Sequence, residues 1–112
     1  MDVFYRTNKL KKLAEDPKAL AKKLGPVGAK KFRQRISEFL AAHCLEDLRN
    51  LPGPRIHELS GNRDESFSAD LKHPLRLLFI PHNQPEPRKQ DGGWDWNSIT
   101  KILLTEITDT HE

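Results

Sequence analysis

Five histidines, at positions 43, 57, 73, 82 and 111, and one cysteine, Cys44, are the side chains of this 112-residue chain best suited to move a proton or attack a substrate. An imidazole exchanges protons near neutral pH, and an arginine holds a phosphate through its planar fork of donors. The histidines are scattered, and with a single cysteine they offer no spacing that ligates zinc, so no metal and no other cofactor is expected. Cys44 beside His43 is not a nucleophile–base pair by spacing alone; its expected place is packed at the end of a long helix. His43, His73 and His82 read as surface or turn residues. Arg76 stands out as the one charge in the apolar run at residues 75–80. Trp94 and Trp96 close a Pro/Gly-rich stretch. Their rings suit base stacking, although tryptophans beside a strand more often close a core or anchor a loop.

A basic surface is the second chemical feature. Residues 1–35 hold 11 Lys/Arg against 3 Asp/Glu, while residues 36–112 hold 8 against 13, behind an overall charge of +3. A basic helical face suits a phosphate backbone, because each neutralised phosphate releases a counterion. Lys30, Lys31 and Arg35 are the candidates for that contact; the alternative is a solvated, lysine-rich helix surface.

The elements that must position these groups follow from the local pattern. At 112 residues, with 36% hydrophobic and 31% charged side chains, the chain fits one soluble globular domain. It has no apolar run of the roughly 18 residues that a membrane span needs, so no membrane association is expected. The first ten residues lack the pattern of a secretory signal, and a lone cysteine suits a reducing compartment, so a cytoplasmic location is expected. Residues 1–5 read as a short strand. A helix starts near Thr7 or Asn8, and Asp16-Pro17 starts another, with Asp as the cap and Pro at the first helical position. That helix stops at Gly25-Pro26, and Pro26 restarts a longer one. Val27, Phe32, Ile36, Phe39, Leu40 and His43 form its apolar stripe, with Lys30, Lys31, Arg33, Arg35 and Glu38 off it. Leu45 and Leu48 extend the helical region to about Asn50.

Leu51-Pro-Gly-Pro54 ends the helices. Residues 55–59 are a weak strand, residues 66–71 alternate as a strand, and residues 75–80 are apolar enough for a strand covered on nearly both faces. Residues 81–97 are a long loop, residues 98–107 a last strand, and residues 108–112 a polar tail. Helices first and strands afterwards predict an α+β fold, with a helical hairpin packed on one face of a small, twisted, mostly antiparallel sheet.

From Leu51 to Phe79 the sequence LPGPRIHELSGNRDESFSADLKHPLRLLF follows the pattern LPGxRxHxLxGxRxxxFSxxLxxPxRLxF. In this it resembles the HigB toxins, the plasmid maintenance killer proteins of the RelE/ParE superfamily. Ile107-Thr-Asp-Thr-His111 resembles their terminal Asp-Tyr-His, and the basic helical hairpin stands in the corresponding place. The long loop 81–97 is an expansion relative to the compact members. The resemblance implies the RelE-like fold and the toxin of a type II toxin–antitoxin pair, a ribosome-dependent mRNA endoribonuclease (mRNA interferase). It also implies a HigA-like helix-turn-helix antitoxin, and operator DNA contacted only through the antitoxin complex.

Metal-independent RNA cleavage uses the substrate's 2′-OH as nucleophile. It needs a base for that proton, a cation for the phosphate and an acid for the leaving 5′-oxygen. Carried over from the family pattern, His57 and His111 transfer protons, with acid and base not divided between them, and Asp109 orients an imidazole or the ribose. Arg76 would hold the scissile phosphate, or pair internally with Asp70 or Glu58. Arg63 would add a second phosphate contact. The chain departs from the family at Thr110, where tyrosine is typical, and at Ser60, where a lysine often precedes the glycine. These departures leave open a degenerate toxin that only binds its antitoxin or nucleic acid. The fold also leaves open a non-catalytic, ParE-like inhibitor of gyrase.

Overall fold

The structure, a computed structural model, describes residues 1–59 and 67–109. Strand β1 (Asp2–Tyr5) leads into helix α1 (Asn8–Glu15) and the long helix α2 (Pro17–Ala41). Short 3-10 turns follow at Leu45–Leu48 and, later, at Trp96–Ser98. The remaining strands are β2 (His57–Glu58), β3 (Phe67–Asp70), β4 (Leu75–Pro81) and β5 (Lys101–Asp109). They form one sheet in the order β1-β5-β4-β3-β2. All neighbours run antiparallel except β1 and β5, which are parallel because the two helices intervene between β1 and the rest of the sheet.

Local chemistry sets the helix ends. The Thr7 hydroxyl accepts from the Leu10 amide at 3.1 Å, and the Asp16 carboxylate accepts from the amides of Lys18 and Ala19, both at 3.1 Å. Each bond satisfies a donor that the first helical turn leaves without a partner. Helix α2 breaks at Gly25, whose φ of 77° and ψ of 164° suit glycine alone. Gly28 then lets the two segments pass closely: a Cβ there would lie 2.9 Å from the Leu24 Cβ.

The core lies between the helices and one face of the sheet. Leu20, Ala29, Phe32 and Phe39 of α2 meet Phe67, Ala69, Leu77 and Phe79 of the central strands. The Phe79 ring stacks on Phe67 at 5.5 Å and meets Phe39 edge-on at 5.2 Å. The buried line of α2 differs from the expected stripe. Val27 and Leu40 are 52% and 58% exposed, whereas Gly28, Phe32, Arg35 and Phe39 are buried. The helix also ends at Ala41, and Leu45 and Leu48 enter the core from the 3-10 turn.

The loop at residues 81–97 is tied down by its own polar groups. The Asn83 side-chain oxygen accepts from the amides of Thr100 and Lys101 at 3.0 and 3.1 Å. Arg88 bridges Trp94 in a single β-pair and lays its guanidinium over the indole, 3.5 Å from the ring centre. Trp94 and Trp96 are buried against Phe67, at 6.2 and 5.3 Å between ring centres. They close the core.

Candidate functional site

Side chains alternate along a strand, and directly opposed residues share a face. In β4, Leu75, Leu77 and Phe79 point to the helices, so Arg76, Leu78 and Ile80 point away. The register of the sheet carries this parity across: His57 opposes Ser68, Ser68 opposes Leu78, Asp70 opposes Arg76, and Arg76 opposes Thr108. His57, Ser68, Asp70 and Arg76 therefore share the face turned away from the helices, on which Ser68 and Leu78 are themselves buried. From strand spacing and rise, the Cα atoms of His57 and Arg76 are about 12 Å apart. That separation lets two long side chains flank one substrate group.

Strand β3 holds both ends of this pair. The Ser68 hydroxyl is fully buried and lies 3.1 Å from His57 Nε2, fixing the imidazole's orientation. Among the described residues Nδ1 has no hydrogen-bond partner. Two residues further along, the Asp70 carboxylate lies 3.7 Å from Arg76 Nε and 3.4 Å from Arg55 Nη1. Of the two internal partners expected for Arg76, the structure places Asp70 beside it. Glu58 instead accepts from the Trp96 indole at 3.2 Å, and Arg49 covers the same indole at 3.8 Å. This contact anchors the two-residue strand β2, and with it His57, to the loop that carries the tryptophans.

Arg55 and Arg76 share the Asp70 carboxylate, and Glu106, which opposes Leu78, belongs to the same face. Arg55 is 68% exposed and Arg76 25%, and both separations from Asp70 exceed those of tight charge-assisted hydrogen bonds, so an incoming phosphate can compete for either guanidinium. Arg55 has a left-handed backbone, φ 45°, unusual for a residue with a side chain. Together with Asp70, His73 and Arg76 it borders a small cleft of about 60 Å³.

Arg35 differs from the sequence-based expectation. It is 2% exposed and faces inward, not toward a nucleic acid. Its Nε donates to the Asp70 carbonyl at 2.6 Å, Nη2 to the Gly53 carbonyl at 3.0 Å, and Nη1 to the Glu38 carboxylate at 2.9 Å. A buried guanidinium is tolerated only with such partners. The Asp70 amide in turn donates to the Pro54 carbonyl at 2.6 Å. Arg35 thus fastens the Leu51-Pro-Gly-Pro54 turn and β3 to α2, placing Arg55 and Asp70 without touching anything outside the protein. Its helical spacing from Gly28, Phe32 and Phe39 was the signal that could have marked it as inward-facing.

Asp109 is also placed differently. It opposes Leu75, on the side where Leu75 and Ile107 pack toward the core, and so it does not join His57 and Arg76. The reason is a register shift: Leu78 opposes Glu106 but Phe79 opposes Leu104, so Thr105 is an extra residue that reverses the parity of the strand beyond it. Lys30 is exposed and Lys31 partly exposed on α2. His111 and Arg63 lie outside the described residues. Ser68 and Arg55 carry no local signal in the sequence; long-range strand pairing brings them to His57 and Asp70.

No group of three or more His, Cys, Asp or Glu side chains among the described residues is arranged to hold a metal ion. No described helix is long and apolar enough to cross a membrane. A scan against protein-family models finds no match for the chain, and searches of curated proteins and of solved structures find none either.

Proposed function

We propose that this chain is a metal-independent endoribonuclease with a RelE-like fold, acting as the HigB-like toxin of a type II toxin–antitoxin pair on mRNA at the ribosome. The observation that carries the reading is that His57 and Arg76 share the sheet face turned away from the helices, each oriented by a residue of β3. In the proposed reaction the 2′-oxygen attacks the adjacent phosphorus and the bond to the 5′-oxygen breaks. One imidazole removes the 2′-OH proton, and a second acid delivers a proton to the departing 5′-oxygen. His57, held by Ser68 through Nε2, works through Nδ1 in one of these roles; His111 takes the other. Arg76, with Arg55 beside it, stabilises the charge that builds on the phosphate oxygens. A HigA-like antitoxin is the proposed partner, with operator DNA reached through that complex.

The test is end-mapping of a reporter mRNA incubated with purified protein, with and without translating ribosomes. The expected result is cuts that need ribosomes, persist in a metal chelator and leave 2′,3′-cyclic phosphate ends. Absence of cuts under both conditions would instead support a ParE-like inhibitor or a toxin reduced to binding. That second reading draws on Asp70, which already engages both arginines of the open face.

A further inference from the structure

The sheet face that carries His57 and Arg76 continues to β1, at the opposite edge, where it bears an exposed aromatic ring. Met1, Val3 and Tyr5 pack against the core, so Phe4 points to the other side of β1. In register it stands beside Leu103, which in turn opposes Ile80 of β4, on the same face as Arg76 and Leu78. Phe4 is 40% exposed, unlike Trp94 and Trp96, which close the core. His82 is also exposed, and its imidazole meets the Phe4 ring at 5.0 Å between centres with a tilt of 53°. At that tilt the two rings do not stack on each other.

Charged side chains surround the rings. Lys101 is exposed and lies on the same face, two residues before Leu103, and the exposed Arg6 follows Phe4 by two residues. Asp2 opposes Lys101, and Glu106 stands further along β5 opposite Leu78. With two acids and two cations, the corner offers ring surface more than net charge. Rings on a sheet face with cations beside them are what a single-stranded nucleic acid uses to stack its bases, because every base has a π-face. By strand spacing and rise, the Cα atoms of Phe4 and Arg76 are about 16 Å apart, within reach of one short single strand.

We propose that Phe4, with His82 beside it, is a base-stacking subsite that holds single-stranded RNA a short distance from the phosphate bound at Arg76. The RNA crosses the sheet from β2 toward β1, stacks a base on the Phe4 ring and places phosphates near Lys101 and Arg6. The choice of RNA rests on the nuclease reading above; the stacking itself does not depend on cleavage. A second copy of this chain is the competing occupant of an exposed ring on an edge strand. It is disfavoured because a two-fold contact on so small a patch brings Lys101 and Arg6 near their own counterparts.

The probe is a fluorescein-labelled octamer of 2′-O-methyl adenosine, which has no free 2′-OH and so cannot be cut, followed by anisotropy. It is expected to bind the parent protein and to bind Phe4→Ala about fivefold or more weakly, the scale of one lost base–aromatic stack. Phe4→Trp should bind at least as well as the parent, and the emission of its new indole should be quenched as unlabelled octamer is added. Three results would each overturn the proposal: no binding to the parent, equal binding to the parent and Phe4→Ala, or a dimer of the parent that Phe4→Ala abolishes and the octamer leaves intact in sedimentation. End-mapping of the reporter mRNA separates this from the nuclease reading. Cuts by the parent with octamer binding indifferent to Phe4 would remove the subsite alone. Octamer binding through Phe4 with no cuts by the parent would remove the nuclease reading alone.

Discussion

The two faces of this five-stranded sheet come from the same strands and have opposite demands. Along β4, Leu77 and Phe79 are buried against helices, while Arg76, one residue away, is partly exposed on the other face and pairs with Asp70. Each face also has its arginine. Arg35 is enclosed and bonded to two backbone carbonyls and a carboxylate; Arg76 is partly exposed and, among the described residues, held by a long ion pair to Asp70. The two arginines are coupled through a single residue, since Arg35 grips the backbone of Asp70 and Arg76 rests on its carboxylate. A guanidinium thus serves assembly where each of its three nitrogens has an internal acceptor, and is freer to exchange partners where its pairing is loose.

The largest effect should come from breaking the covered side. Arg35→Ala leaves the carbonyls of Asp70 and Gly53 and the Glu38 carboxylate without their donor, and should cost about 3–5 kcal/mol in urea unfolding. Arg35→Lys should recover only part of this, because an ammonium lacks the planar fork that reaches three partners. On the open side, Arg76→Ala should change stability by less than about 1 kcal/mol. The same variant should lower RNA cleavage by about a hundredfold or more, the scale seen when one donor to a developing oxyanion is removed. Asp109→Ala sharpens the comparison: with Asp109 on the helix side, cleavage should stay close to that of the parent protein, measured on the same reporter mRNA.

A smaller effect is expected at the helix break. Gly25→Ala places a Cβ on a backbone that favours glycine and should lower stability by about 1 kcal/mol or more, read from the thermal midpoint. The smallest is a dependence on alkaline pH. Burial, and secondly the charge of Glu15, raise the Tyr5 phenol above its ordinary value of 10.0. The unfolded chain therefore ionises this phenol first. Its stabilising contribution is intact below the unfolded value and is lost as pH rises through the higher native one. The urea midpoint of Tyr5→Phe should accordingly fall less than the parent's between about pH 9 and pH 11.

Features decided by neighbours in sequence were legible in the sequence. Thr7, Asp16-Pro17 and Gly25-Pro26 announce a cap, a start and a break through chemistry contained within a few residues, and the helices begin and kink there. The α+β order followed from the same local reading. Features decided across the fold were hidden. Arg35 sits in a basic run, and its partners at Gly53 and Asp70 are 18 and 35 residues away. Strict alternation from Ile102 and Leu104 would carry Asp109 to the open face; one extra residue at Thr105 sends it to the other. The strand histidine and arginine were visible as residue types, but their shared face is a property of register.

On the proposed reading, the face turned away from the helices carries the chemistry and the covered face carries the fold. Its most direct test is end-mapping of a reporter mRNA with the double variant His57→Ala/Arg76→Ala, alongside the parent protein and translating ribosomes, after both proteins have been shown to melt alike. Cuts are expected with the parent and none with the variant. Cuts at the same positions and the same rate with both proteins would contradict it.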